Sequence, residues 1–165
     1  MPTQRLLTAV KARPEARGSR LPTVILPYPF TGCRLVPGRL PMSREQQEAL
    51  DRGINLFNEQ RFFEAHEEWE QEWRLMREGD DKTFFQGLIL AAGAFIHYTR
   101  HECSGAKELL GRSLSSLRVG MDLHPDIGVG QLIDDLTRLL EPFASCTFEL
   151  KERDLPMIRR NLVNW

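Results

Sequence analysis

The densest concentration of reactive side chains runs from Phe62 to Trp73, Phe62-Phe63-Glu64-Ala65-His66-Glu67-Glu68-Trp69-Glu70-Gln71-Glu72-Trp73. On a helical wheel with Trp69 at 0°, Trp73 falls at about 40°, His66 at about 60°, Glu70 at about 100° and Glu67 at about 160°. His66 therefore stands within the apolar stripe, Glu70 borders it and Glu67 faces outward. The zinc motif H-E-x-x-H requires a second histidine at position 70, which is glutamate here. A di-iron Glu-x-x-His pair requires glutamate three residues before His66 or His97, where Phe63 and Ala94 stand. What remains is a polar constellation of His66, Glu67, Glu70 and Trp73 with Gln86 and His97, the last two eleven residues apart and on one helical face. Two imidazoles and a carboxylate, His66, His97 and Glu70, could hold a divalent metal, as in a metal-binding protein or a metal-dependent hydrolase, or Glu70 could orient an imidazole as general base. The plainer reading is a mutually satisfied core network. Glu70 also has a surface role open to it, an i,i+4 pair with Arg74.

Weaker candidates follow. His101, Glu102 and Cys103 could ligate a metal, but histidine near a helix C-terminus is favoured by the dipole anyway. His124, flanked by Asp122 and Asp126, reads as a solvated turn. Trp69 and Trp73 read as core. Ser113, Ser115 and Ser116 lack a nucleophile elbow, and no phosphate-binding glycine loop is present. No motif calls for a cofactor, leaving a divalent metal as the one candidate.

The elements that must position these residues are all helical. Ser43 and Gln46 form a capping-box signature ahead of a first helix carrying Ala49, Leu50, Ile54, Leu56 and Phe57 and closed by Asn58. Phe62, Ala65, Trp69, Trp73 and Met76 mark a second helix with Gly79 as its C-cap. Asp80, Asp81 and Thr83 offer N-caps for a third, running to about His101. That third helix is apolar around nearly its whole circumference, from Phe84 to Tyr98, except for a stripe of Gln86, Gly93, His97 and Arg100. Such a helix is buried. A fourth runs from Ala106 to Met121, and a fifth from Ile127 to Leu140, stopped near Pro142. Cys146 to Leu150 reads as loop, and Leu155 to Trp165 as a further helical turn or two folded back by Ile158, Leu162 and Trp165. The expected fold is all-α, a compact antiparallel bundle of about five helices with the third at its centre.

Charge divides the chain. Its 165 residues carry a net charge of -1, yet residues 1–41 hold seven basic residues against Glu15 alone and seven of the ten prolines. The remainder has 15 basic and 22 acidic residues. Residues 1–41 read as an irregular Pro/Arg-rich arm, either disordered or a consequence of start-codon choice with Met42 as the alternative start. Residues 42–165 read as one helical domain. Its acidity argues against nucleic-acid binding. The partner is expected to be a protein or small molecule, or a second copy in a homo-oligomer. Cys33, Cys103 and Cys146, odd in number and without CxxC spacing, read as unpaired thiols of a reducing, cytoplasmic setting. Leu88 to Ile96, the longest apolar stretch, is too short to span a bilayer.

Gly53, Leu56, Phe62, Ala65 and Trp69 fall at the offsets of one tetratricopeptide unit, although Thr99 breaks the repeat. A peptide-binding module of that kind would need an exposed apolar surface beside Phe57, Phe62 and Trp69. A fuller correspondence exists. Phe57-Asn58, then Phe62-Phe63-Glu64-Ala65-His66-Glu67, Glu70 and Trp73, then Gln86-Gly87-Leu88-Ile89 and His97, resemble the bacterial and archaeal family called domain of unknown function 309, over about residues 43 to 140. The resemblance implies a small, cytoplasmic, all-helical protein without an established activity. It directs attention to His66, Glu67, Glu70, Trp73, Gln86, Gly87 and His97.

Overall fold

The computed structural model describes residues 41–146, 151 and 154–161, all within one compact unit spanning residues 32–165. The helices are α1 (Arg44–Asn58), α2 (Phe62–Leu75), α3 (Asp80–Thr99), α4 (Cys103–Leu117), α5 (Val129–Arg138) and α6 (Leu140–Ser145), with a 3-10 turn at Arg118–Gly120. Five have ten residues or more, and no strand occurs among the described residues. The all-α reading holds. The arm before Pro41, Cys33, the segment 147–150, Leu162 and Trp165 lie outside the described residues. No described helix is long and apolar enough to cross a membrane.

Local chemistry explains most helix ends. The Ser43 hydroxyl accepts from the Gln46 amide at 3.2 Å while Gln46 Oε1 accepts from the Ser43 amide at 2.9 Å, completing the capping box. α1 and α3 both end without glycine. The Arg61 amide donates to Leu56 and the Gln60 amide to Phe57, with Gln60 at φ 63°. The Glu102 amide likewise donates to His97 and the His101 amide to Tyr98, with His101 at φ 62°. Both are Schellman closures with a left-handed residue just past the C-cap. They turn the chain sharply enough to set α1 against α2 and α3 against α4.

Three expectations are corrected. Gly79 is the N-cap of α3, not the C-cap of α2, which closes at Met76. Asp80 and Asp81 follow in the first turn of α3, where carboxylates favour the dipole. Pro142 does not stop a single fifth helix. The chain breaks earlier, at Leu139, and Pro142 lies in the first turn of α6, where its missing amide proton costs nothing. The tail from Leu155 to Asn161 is irregular rather than helical, with one antiparallel bridge from Arg160 to Ile127, because Pro156 can neither donate a helical bond nor leave its predecessor comfortably helical. Ile158 is buried, as expected, and Asn58 holds its backbone on both sides. The Ile158 amide donates to Asn58 Oδ1 at 2.8 Å and Asn58 Nδ2 donates to the Ile158 carbonyl at 3.0 Å. Arg160 completes the strap by pairing with Asp51 and Asp126.

The cysteines are the fourth correction. Cys103 and Cys146 form a disulfide, their Cα atoms 5.7 Å apart across a sequence separation of 43. Packing of α6 on α4 brings them into range, and no local spacing announces the pair.

α3 is the centre of the core. Phe84, Phe85, Leu88, Ala91, Ala92, Ala94 and Phe95 are all at most 1% exposed. Phe57 and Phe62 pack on Phe95 with ring centroids 5.8 and 4.6 Å away, and Phe143 of α6 reaches it from the other end at 5.4 Å. Phe57, Phe62 and Trp69 thus form core, which removes the exposed apolar surface that a tetratricopeptide-like binder would use. Two glycines permit close approach. The Trp69 ring occupies the space a side chain at Gly53 would need. A Cβ on Gly87 would stand 2.9 Å from the Leu117 amide nitrogen of α4, and Ser113 donates a 2.7 Å hydrogen bond to the Gly87 carbonyl.

Gly87→Ala should therefore push α4 off α3 and destabilise the fold by about 1 to 3 kcal/mol, read from the midpoint of urea unfolding. Asn58→Ala should cost about 1 to 3 kcal/mol, because the half-buried amide and carbonyl of Ile158 both lose their partner. Proteolysis C-terminal to Ser145 should also accelerate in the Asn58 variant.

Candidate functional site

The outer edge of α2 presents His66, Glu67, Glu70 and Trp73 along successive turns, as their spacing requires. Trp69, on the inner edge, fixes the rotation of the helix. It is fully buried and its indole donates to the Leu50 carbonyl at 3.4 Å. Arg52 of α1 pairs with Glu68 at 2.7 Å and holds the same rotation from outside. At the first turn, Glu64 is held below the ordinary carboxylate range by its own backbone amide and by Arg61.

His66 lies over Gly93 of α3, where an added Cβ would be 3.9 Å from the imidazole Cδ2. Absence of a side chain there lets the ring settle against α3 instead of standing off it. Its Nδ1 is buried and makes no hydrogen bond. The nearest charged atom is Glu67 Oε1, 3.6 Å away. One ligand atom from each of His66, Glu67 and Glu70 falls within 4.8 Å of the others; His66 and Glu70 are half-buried, and the Glu67 side chain is 48% exposed. Glu70 also forms an ion pair with Arg74 at 2.9 Å, the i,i+4 pair anticipated from sequence. Trp73 is half-buried with its indole nitrogen unpaired, and Lys82 sits 4.9 Å from its ring centroid.

The α3 residues are placed differently. His97 pairs with Glu102, Nδ1 to Oε2 at 2.6 Å, with 38% and 53% of the two side chains exposed. The imidazole packs against Gly105 of α4. Gln86 is half-buried, and among the described residues no hydrogen bond joins Gln86, His66, Glu70 and His97. The structure thus brings His66 and Glu70 together with Glu67, and gives His97 a separate carboxylate. Glu102 was legible only as a neighbour of His101. Its pairing follows from the Schellman turn, which returns residue 102 to the level of residue 97.

The remaining candidates lie elsewhere. His101 supplies the left-handed residue of that turn. His124 is buried, stacked on Phe84 with centroids 4.5 Å apart, and its Nε2 lies 3.2 Å from Asp81 Oδ1. It is therefore no solvated turn residue, and Asp126 is engaged by Arg160. Ser113 serves Gly87, as above. An open cavity of about 410 Å³ lies at the start of α2, between Phe63, Arg61, Ile96 and Arg100, and none of the polar-cluster residues lines it.

Residues 50–109 match the family model described as Domain of unknown function (DUF309). The match begins in α1, covers α2 and α3 and ends within α4, so it contains the whole α2 cluster and the His97–Glu102 pair. It is narrower than the span suggested by the motif, and the second half of α4, α5 and α6 lie beyond it. The matched segment is thus similar to a family whose description assigns no function. Comparison with curated proteins yields no match.

Because both partners are half-exposed, His97→Ala should lower stability by less than about 1 kcal/mol. Guanidinium unfolding of the variant beside the parent chain checks this, and a loss as large as that of Gly87→Ala would place His97 in the core.

Proposed function

We propose that the α2 cluster is a divalent-cation site, with His66, Glu67 and Glu70 as donors. The observation that carries this reading is the His66 Nδ1 atom, buried without a hydrogen-bond partner beside two carboxylates. A buried polar atom without a partner costs free energy, and a cation is the partner whose chemistry suits one imidazole nitrogen and two carboxylates together. Metal–donor distances of about 2.0 to 2.2 Å place donors about 3 to 4 Å apart. The observed spacing of up to 4.8 Å would therefore have to tighten on binding. Arg74 competes for Glu70, so cation binding displaces or shares that ion pair.

Mixed nitrogen and carboxylate donors suit Mn²⁺, Fe²⁺ and Zn²⁺ over Ca²⁺. Equilibrium dialysis of the full chain against Mn²⁺ followed by elemental analysis tests the reading, since Mn²⁺ has little affinity for the cysteines. About one cation per chain is expected at neutral pH. His66→Ala should weaken binding at least tenfold, and Glu108→Gln, on the exposed side of α4, should leave it unchanged. Affinity should fall on acidification because the donors must be deprotonated. Equal binding by the parent chain and His66→Ala would refute the site.

A further inference from the structure

The Cys103–Cys146 disulfide differs from a buried structural staple in the environment of its two sulfurs. Cys146 is exposed, immediately beyond the six-residue α6, whereas Cys103 is 9% exposed and is the first residue of the fifteen-residue α4. A thiolate at the start of a helix is stabilised by the unsatisfied amides and the positive end of the dipole. The N-cap residue of α4 does not consume those amides. Glu102 makes no capping hydrogen bond, because its carboxylate is turned to His97. One sulfur is thus open to attack, and the other is placed to leave.

We propose that Cys103–Cys146 is a thiol–disulfide exchange site that responds to low-molecular-weight thiols of the glutathione class. The incoming thiolate attacks Sγ of Cys146. The bond between the two cysteines breaks, a new disulfide joins the thiol to Cys146, and the electron pair leaves on Cys103 as thiolate. A second equivalent of thiol attacks the mixed disulfide, releases Cys146 as thiolate and departs as its own oxidised dimer. Two electrons have then passed from the small thiol to the protein pair. Attack in this direction is favoured twice, by access to Cys146 and by the better leaving group at Cys103.

The opened form keeps its fold, since α6 has an anchor independent of sulfur. Phe143 is fully buried, stacked on Tyr98 at 4.4 Å and edge-on to Phe95 at 5.4 Å. Opening therefore loosens the end of α6 and leaves the α3–α4 turn in place. The exchange is local, and the site is independent of the α2 cluster.

The test uses the full-length chain carrying Cys33→Ser, so that no third thiol intervenes. The oxidised protein is pulsed with millimolar reduced glutathione, quenched in acid, capped with N-ethylmaleimide and mapped by peptide mass spectrometry. Glutathione on Cys146 with maleimide on Cys103 should exceed the reverse pattern at least tenfold, with the helical circular-dichroism signal retained. In the reduced Cys146→Ser chain, the alkylation rate of Cys103 should reach half its maximum at least about one pH unit below the ordinary cysteine value of about 8.5. Equal or reversed adducts, a bond that resists the pulse, loss of helicity on opening, or a Cys103 midpoint at or above the ordinary value would each overturn the proposal. So would failure of the reduced pair to re-form under oxidised glutathione.

Discussion

α3 has almost no polar face, and that constraint governs the rest of the molecule. A twenty-residue helix bearing Phe84, Phe85, Leu88, Ile89 and Phe95 on different sides must be walled on nearly every side. α1, α2, α4 and α6 supply the walls, and each brings aromatic or branched side chains to it. Close approach is achieved through glycine at Gly87, where α4 lies against the α3 backbone and Ser113 answers the carbonyl that the contact buries. The polar stripe of α3 is narrow because it is the only part of the circumference left over. Gly93 and His97 lie on it, and the two candidate imidazoles of the chain are consequently found along the same edge.

That edge separates two kinds of motif residue. Trp69, Gly53 and Gly87 are explained by packing: removing a ring, or adding a methyl, disturbs the distance between helices. His66, Glu67 and Glu70 lie on the outer edge of α2, with His66 against Gly93 of α3. Glu70 has Arg74, and His66 keeps a buried nitrogen without a hydrogen bond, as do Trp73 and His124. His97 falls between the two groups. It has a carboxylate partner at short distance, and both lie half in solvent, where the pair contributes little to stability.

Turn chemistry connects these observations. The two Schellman closures put Gln60 and His101 into the left-handed region, where glycine is the usual occupant. A sequence reading that looks for glycine at helix ends consequently misses both. The second closure returns Glu102 to His97 and starts α4 at Cys103. One turn thus sets the carboxylate of the histidine pair and the start of α4 at Cys103.

The sequence by itself determined what depends on near neighbours and on periodicity: the capping box at Ser43, the stripes of α1 and α2, the all-round apolar α3, and the Glu70–Arg74 pair. Each rests on spacings of one to four residues, which a helix converts directly into contacts. Tertiary structure decided what depends on distant segments meeting. Cys103 and Cys146 are 43 residues apart, Asn58 and Ile158 are 100 apart, and Arg160 reaches both Asp51 and Asp126. Asp81 meets His124 only because the loop after α4 closes over the start of α3. No local pattern encodes these pairs. They exist because burying α3 brings the walls together, and the ends of those walls then find one another.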